Sequence, residues 1–238
     1  MGVKIARQKS NKLWLSIIYK IQRHLPLSKK NKLKLFLNLE WIFDRLSNEM
    51  SYKYYKAENH PARQSSKAFV LDNISSENTV LDLGCNKGDF SYMISEKAGS
   101  VIGIDHDNNF IEIAKQRNQR ANLKFIHGDA LEFLKSNSKR FDILILAHLL
   151  EHIDDPKDFL NLFKDFFNRI YIELPDFDRN YLNHYRKDLN LELIYTDNDH
   201  VSEFSRDELQ DILTSCNIVI EKAEYIFGVQ KLWCKVLR

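Results

Sequence analysis

Val80-Leu81-Asp82-Leu83-Gly84-Cys85-Asn86-Lys87-Gly88-Asp89-Phe90 decides how the rest of this chain is read. An apolar strand, Thr79–Leu83, runs into a loop bounded by Gly84 and Gly88, and a helix begins behind it. The two glycines let the backbone turn tightly and approach a ligand at that turn. The spacing is not the dinucleotide fingerprint G-x-G-x-x-G. Asn86 stands where the middle glycine would be, and an acid, Asp82, lies two residues before Gly84. A buried carboxylate there suits a ligand with a positive end better than a pyrophosphate. The plainer alternative is an ordinary strand-to-helix turn.

Outward from that turn the chain alternates. Short apolar strands at Ser100–Ile104, Leu123–Ile126, Phe141–Leu146 and Arg169–Leu174 follow the first, with amphipathic helices near 88–98, 108–119, 129–136 and 157–167. Such alternation predicts a parallel, doubly wound sheet. A helix at 206–215 then precedes two strands, Ile218–Tyr225 and Val229–Val236, joined only by Phe227-Gly228, which must form an antiparallel hairpin. The expected class is α/β: a seven-stranded doubly wound sheet, mostly parallel, with a C-terminal antiparallel hairpin and an N-terminal helical extension. Residues 1–50 would be the basic, helical extension and 51–238 the domain, with a cap at 51–75 and a substrate lid or insertion at about 176–205. In the extension, Trp14, Ile17, Ile18, Ile21 and Leu25 recur at helical spacing over 11–25. Pro26 breaks that helix, and Leu33 to Leu46 forms a second that lies against the body.

The ends of the next two strands carry acids as well. Asp105, 21 residues after Gly84, stands where doubly wound folds hold the two hydroxyls of a ribose. Asp107 suits a helix N-cap. After the third strand come Gly128, Asp129 and Ala130. Asp129 can accept from the exocyclic amine of an adenine, or simply cap the helix that follows. Five of the seven glycines fall between 84 and 128, where the ligand-facing loops lie.

Asp82-x-Gly84-x-x-x-Gly88, Asp105, Asp129 and the run from Phe141 through Glu151-His152-Ile153 together resemble the class I, Rossmann-like S-adenosylmethionine-dependent methyltransferases. Within them they look most like small-molecule enzymes of ubiquinone biosynthesis and sugar or lipid O-methylation. The resemblance covers about residues 60–238. It implies that Asp82, Gly84, Cys85, Asn86 and Gly88 meet the methionine part of the cofactor and that Asp105 holds its ribose. His106 would flank the adenine, while Gly128, Asp129 and Ala130 meet its edge and Ala147 borders the site. The implied product is S-adenosyl-L-homocysteine, and the implied reaction is direct displacement at the sulfonium methyl group. That demands alignment and desolvation of acceptor, carbon and sulfur. A hydroxyl acceptor must also lose a proton, for which histidine is the natural base near neutral pH.

Candidates for that base cluster after the fourth strand, in Ala147-His148-Leu149-Leu150-Glu151-His152. His148, Glu151 and His152 share one face if this turn is helical, and they read as acid/base or substrate contacts or, more plainly, as structural packing of a Glu-His pair. The spacing also suits a metal ion, and some ubiquinone-pathway O-methyltransferases that the segment resembles hold a divalent cation here. His148 replaces one of their acids, which weighs against a hard cation, and no metal is assigned. His148, His152 and His200 are the catalytic candidates. The 30 residues from Asp176 to Ser205 include Tyr181, His184, Tyr185, Arg186, Tyr195 and His200 and would shape the acceptor pocket. Ser205 with Glu208 also reads as a capping box. Ahead of the first strand, Tyr54 to Arg63 resembles a cap over the cofactor, with Arg63 as partner for the methionine carboxylate, or is simply a solvated loop.

The formal charge of +2 hides a split. Residues 1–38 hold ten Lys/Arg and no acid, so the other 200 residues carry 25 Lys/Arg against 33 Asp/Glu, a balance of −8. Three readings stand for this leader: an anionic membrane surface, contact with a second copy in a homodimer, or phosphates on RNA. Separate lysines without aromatic interleaving make nucleic acid the weakest. Cys85, Cys216 and Cys234 form no C-x-x-C pair, which suits a reducing cytoplasm. The apolar run Leu13–Tyr19 is far too short to span a bilayer. The expectation is a cytoplasmic, at most membrane-associated, O-methyltransferase for a small-molecule, sugar or lipid-linked acceptor. Its rivals are an RNA or protein methyltransferase docking through the basic arm, and a cofactor-binding scaffold without turnover.

Overall fold

A computed structural model describes residues 13–136, 140–192, 197 and 199–238, with side chains from Ser16 onward. Lys4, Arg7, Lys9, Lys12 and Tyr195, and the side chain of Trp14, lie outside the described residues. The chain runs α1 (Leu13–His24), α2 (Lys29–Tyr54), α3 (Pro61–Asn73), β1 (Thr79–Leu83), α4 (Asp89–Ile94), β2 (Ser100–Asp105), α5 (Asn108–Arg117), β3 (Leu123–His127) and α6 (Ala130–Ser136). It continues through β4 (Phe141–Ala147), α7 (Pro156–Phe163), β5 (Phe167–Pro175), α8 (Leu182–Asp188), α9 (Arg206–Ser215), β6 (Ile218–Ile226) and β7 (Val229–Val236). The sheet order is β3-β2-β1-β4-β5-β7-β6. The first five strands are parallel, and β7 is antiparallel to both β5 and β6. Seven strands, the doubly wound order and the terminal hairpin all match the sequence pattern.

Side-chain alternation divides the core in two. Leu81, Leu144 and Ile172 pack on one face with Leu134 of α6, Leu160 of α7 and Leu209 of α9. Their strand neighbours Val80, Ile143 and Tyr171 pack on the other with Val70 of α3, Ile94 of α4 and Ile111 of α5. Both faces of the parallel strands are therefore covered, which is why these strands are apolar without a polar side. Strand order reverses between β1 and β4, leaving the ligand crevice of doubly wound folds at their carboxyl ends. Gly84 and His148 follow those two ends directly. At the hairpin, Phe227 and Gly228 both take left-handed conformations, φ +56° and +78°, as a two-residue turn between right-twisted strands requires.

Several boundaries differ from the sequence reading. The helix expected at 88–98 stops at Ile94, where the Ser95 hydroxyl donates to the Tyr92 carbonyl and turns the chain. The helix expected at 157–167 ends at Phe163, a 3₁₀ turn covers Lys164–Phe166, and β5 takes over two residues earlier than read. Phe167 is fully buried in that strand, so burial there wins over helical continuation. The largest difference is α2. Ser28 caps it by accepting from the Asn31 N–H, no proline or glycine interrupts it, and it runs unbroken across residue 50 to Tyr54. It does lie against the body, where its Glu40 and Asp44 pair with Arg186 and Arg179. No helix among the described residues is long and apolar enough to cross a membrane.

Candidate functional site

The loop after β1 is built by backbone geometry. Gly84 and Gly88 sit at φ +73° and +79°, and Asn86 between them at φ +50°. Asparagine tolerates the left-handed region better than other side-chain-bearing residues, so its departure from glycine keeps the turn. Gly88 has a second constraint: a Cβ there would lie 2.5 Å from Phe125 Cζ and 2.9 Å from Ala114 Cβ. The Gly84 and Cys85 N–H groups both donate to the Ile104 carbonyl, at 2.9 and 3.1 Å, which locks the loop to the end of β2. Cys85 is buried, and burial pushes its thiol well up, so it lines the loop as a neutral group.

Asp105 ends β2 against this loop. One carboxylate oxygen accepts from the Asn86 N–H at 2.8 Å and the other from the Asp107 N–H at 2.9 Å. Each oxygen has room for a second donor, so a pair of adjacent hydroxyls would complete the set. Asp82 is buried at the end of β1 and accepts from the Ser91 hydroxyl. Burial, reinforced by the nearby Asp105 charge, raises its carboxyl to about 6 despite that bond. A ligand cation beside it would restore the charged form. Asp107 caps α5 by accepting from Asn109 N–H at 2.7 Å. Asp129 is exposed and caps α6 through the Glu132 N–H at 2.8 Å, which leaves its other oxygen for a ligand. Gly128 donates to the Asp105 carbonyl at 3.0 Å, joining the third loop to the second, with Ala130 opening α6 beyond it. The His106 ring is almost entirely exposed beside Asp105.

The segment after β4 does not form the helical face the spacing suggested. His148 takes φ +53°, and only Leu150–His152 make a 3₁₀ turn, so His148 and His152 diverge. His148 Nδ1 lies 3.1 Å from Glu151 Oε1, and its Nε2 lies 3.6 Å from Glu173 Oε1. The ring is half exposed, and although desolvation among its neighbours would lower it, hydrogen bonds to Glu151 and Glu173 and their charges overcome this and raise it to about 10. Glu173 in turn accepts from Ser66 Oγ at 2.8 Å and from the Tyr171 hydroxyl, and despite its burial these bonds and His148 hold its carboxyl low. Its strand partner Lys231 is fully buried and pairs with Glu224 and Ser65. Glu173, Tyr171, Ser66 and Lys231 escaped the sequence reading. The available signal was an acid and a lysine at neighbouring positions of otherwise buried strands.

His152 turns the other way. Its Nδ1 lies 3.1 Å from the Asp199 carbonyl, and its ring meets His200 edge-on at 4.8 Å between centroids. His200 Nδ1 contacts Glu203 Oε1 at 3.0 Å in a buried pair. Glu151, His152 and His200 each bring one ligand atom within 4.8 Å of the others, a different set from the one spacing suggested. The second carboxylate oxygen of Glu151 is buried without a hydrogen-bond partner among the described residues. A cavity of about 270 Å³ is lined by Phe177, Val201, Ser202 and Glu203 among others, Glu203 being the partner of His200. Within 176–205 the chain forms a 3₁₀ turn and α8, and Ser205 caps α9 through the Glu208 N–H. Arg63 rests over the Tyr52 ring at 5.8 Å, on the helix whose Ser66 reaches Glu173. Ala147 ends β4 opposite Glu173.

Residues 74–217 match a family model described as a methyltransferase domain. The demethylmenaquinone methyltransferase of Oceanobacillus iheyensis is 28% identical over 137 residues, 55% of each chain, so this chain spans about half the length of the curated relatives it matches. Among solved structures, the N-methyltransferase NodS of Bradyrhizobium japonicum with S-adenosyl-L-homocysteine has a TM-score of 0.57 at 14% identity, covering 77% of this chain and 92% of that one. Magnesium protoporphyrin IX methyltransferase of Synechocystis, also with bound S-adenosylhomocysteine, gives 0.55 at 14%, covering 82% and 94%. At these identities the structural likeness speaks to the fold.

Proposed function

The chain belongs to the methyltransferase-domain family, among the class I S-adenosylmethionine-dependent methyltransferases, and from that premise we propose that it methylates a small-molecule acceptor of quinone or lipid-linked type. The observation that carries the cofactor assignment is Asp105. Its two remaining acceptor positions face the glycine turn at the strand-order switch, where adjacent ribose hydroxyls fit. Gly84 to Gly88 would pass along the methionine part, Asp82 would face its positive end, and Asp129 would meet the adenine. When bound, the cofactor supplies a sulfonium methyl group.

The acceptor side belongs to the turn after β4. With both ring nitrogens directed at carboxylates, His148 is a cation at neutral pH. Both of its N–H groups are then committed to Glu151 and Glu173, so it orients those carboxylates and adds positive charge beside the acceptor, and it is not a free base. The buried oxygen of Glu151, without a hydrogen-bond partner among the described residues, would take the proton of an acceptor hydroxyl that reaches it. His152, His200 and the 176–205 connection close the acceptor's side of the crevice, and Arg63 covers the cofactor's carboxylate. The demethylmenaquinone methyltransferase similarity supports a small-molecule acceptor over RNA or protein. In this reading the basic leader serves peripheral attachment rather than cofactor chemistry.

Incubation with methyl-tritiated S-adenosylmethionine and fractionated cell extract tests this directly. Label should move to an organic-extractable small molecule. Transfer only to RNA or protein would replace the acceptor class, and cofactor binding without any transfer would favour a scaffold.

A further inference from the structure

The helix α2 has its polarity reversed. Leu37, Glu40 and Asp44, at spacings of three and four, face the body: Leu37 is buried, Glu40 meets the buried Arg186, and Asp44 meets Arg179. On the opposite side Leu35, Leu39, Ile42 and Leu46 form a stripe at the same helical spacing, flanked by Phe43 and Met50. All six are exposed, Phe43 by 63%. A surface helix normally turns such a stripe inward. α1 adds exposed Ile17, Ile18 and Ile21.

At its N-terminal end, where α1 and the start of α2 meet it, the charges around this apolar surface have one sign, while toward its other end the exposed Glu49 pairs with Arg45 at 3.6 Å. No acid precedes Glu40, and the first two acids of α2 are engaged by the body's arginines. Lys20, Arg23, Lys29, Lys30 and Lys34 therefore stand without acidic neighbours in sequence, while Lys32 ties the two helices by donating to the Gln22 carbonyl at 2.9 Å. Exposed apolar side chains on α1 and α2, bordered by basic residues where the two helices meet and on helices not apolar enough to cross, have the composition of a segment lying in the headgroup layer of an anionic bilayer. Two like-charged copies of this face would repel each other, which disfavours a second protomer as its cover.

We propose that the outward stripe of α2, with α1 beside it, docks on an anionic lipid surface. The Arg186 anchor gives this docking a direction. That guanidinium donates to the Leu37 carbonyl at 2.8 Å and to Asn183 at 2.9 Å, so α8 and the connection beside the acceptor turn are carried with the helix. The inference does not depend on the acceptor's identity.

Flotation of the full chain with vesicles of equal phosphatidylglycerol and phosphatidylcholine, compared with phosphatidylcholine alone, tests it. The chain should float with the first at least roughly tenfold more strongly, given several basic residues near the surface. Lys29→Gln with Lys30→Gln should weaken binding about 25-fold, at about fivefold per charge. Phe43→Glu with Leu46→Glu should abolish flotation while S-adenosylmethionine binding, read by calorimetry as the check on folding, is unchanged. Equal flotation of that double variant, or no preference for the anionic vesicles, would overturn the proposal. So would a dimer by light scattering that the double variant dissociates, with no vesicle binding, since the face then covers a second copy.

Discussion

The ends of β2 and β4 each present a buried carboxylate centre to the same crevice, and they are built in opposite ways. At β2, Asp105 is held by backbone N–H groups from its own loop and the adjacent glycine turn. Among the described residues the basic group beside it is the exposed His106 ring, at 3.5 Å, and acceptor positions remain open. At β4, Glu151 and Glu173 close on His148, and Glu173 is filled further by Ser66 from α3 and Tyr171 from its own strand. The first centre is an incomplete acceptor that a ligand finishes. The second is an internally compensated network that sets the charge of one imidazole. Cofactor affinity should therefore follow single residues at β2, whereas changes at β4 should spread into stability and turnover together.

Glu173→Ala is the sharpest way to break that contrast. It strips the acceptor from the buried Ser66 and Tyr171 hydroxyls and from one side of the half-exposed His148, a loss of about 2–4 kcal/mol by chemical denaturation. Glu173→Gln should keep the fold and mainly lower turnover. If Glu173→Ala unfolds at the wild-type denaturant concentration, the network does not contribute to stability at these strand ends.

Asp82 links the β2 side to pH. Its native carboxyl, raised to about 6, is above the unfolded value near 3.8. The unfolded chain then loses its proton first. The contribution of this group to stability is greatest at low pH and is lost as pH rises from about 4 through 6, by up to about 3 kcal/mol. A cationic ligand beside Asp82 should expel the proton. S-adenosylmethionine binding at pH 6, measured by calorimetry in buffers of different ionisation enthalpy, should release roughly half a proton, falling toward none at pH 8. Buffer-independent heats at pH 6 would separate Asp82 from the ligand's charge.

The smallest effect sharpens the comparison at its closest point. Asp107, two residues beyond Asp105, is engaged as the α5 cap. Asp107→Ala should cost about 1 kcal/mol in thermal or denaturant unfolding and leave cofactor affinity nearly unchanged. A large loss of affinity would mean that the two acids share the ligand.

The asymmetry also explains what could be read from the chain. Asp82, the Gly84–Gly88 turn, Asp105 and the Asp107 cap depend on neighbours within a few residues or on strand-end position, which spacing encodes. The strand pattern and terminal hairpin were legible for the same reason. His148's environment was not. Its partner Glu173 is 25 residues away and acts through a strand pairing, while Ser66 and Lys231 arrive from elements far apart in sequence. Helical periodicity placed His148, Glu151 and His152 on one face because spacing cannot foresee a left-handed residue at 148. It also placed α2 against the body without showing that charged rather than apolar side chains would make the contact.

The incomplete acceptor at Asp105 is the centre of this account, and calorimetric titration of Asp105→Ala with S-adenosylmethionine tests it most directly. Loss of two charge-assisted hydrogen bonds should weaken binding by about 100-fold or more while the unfolding transition stays cooperative. Wild-type affinity in a folded Asp105→Ala protein would contradict it.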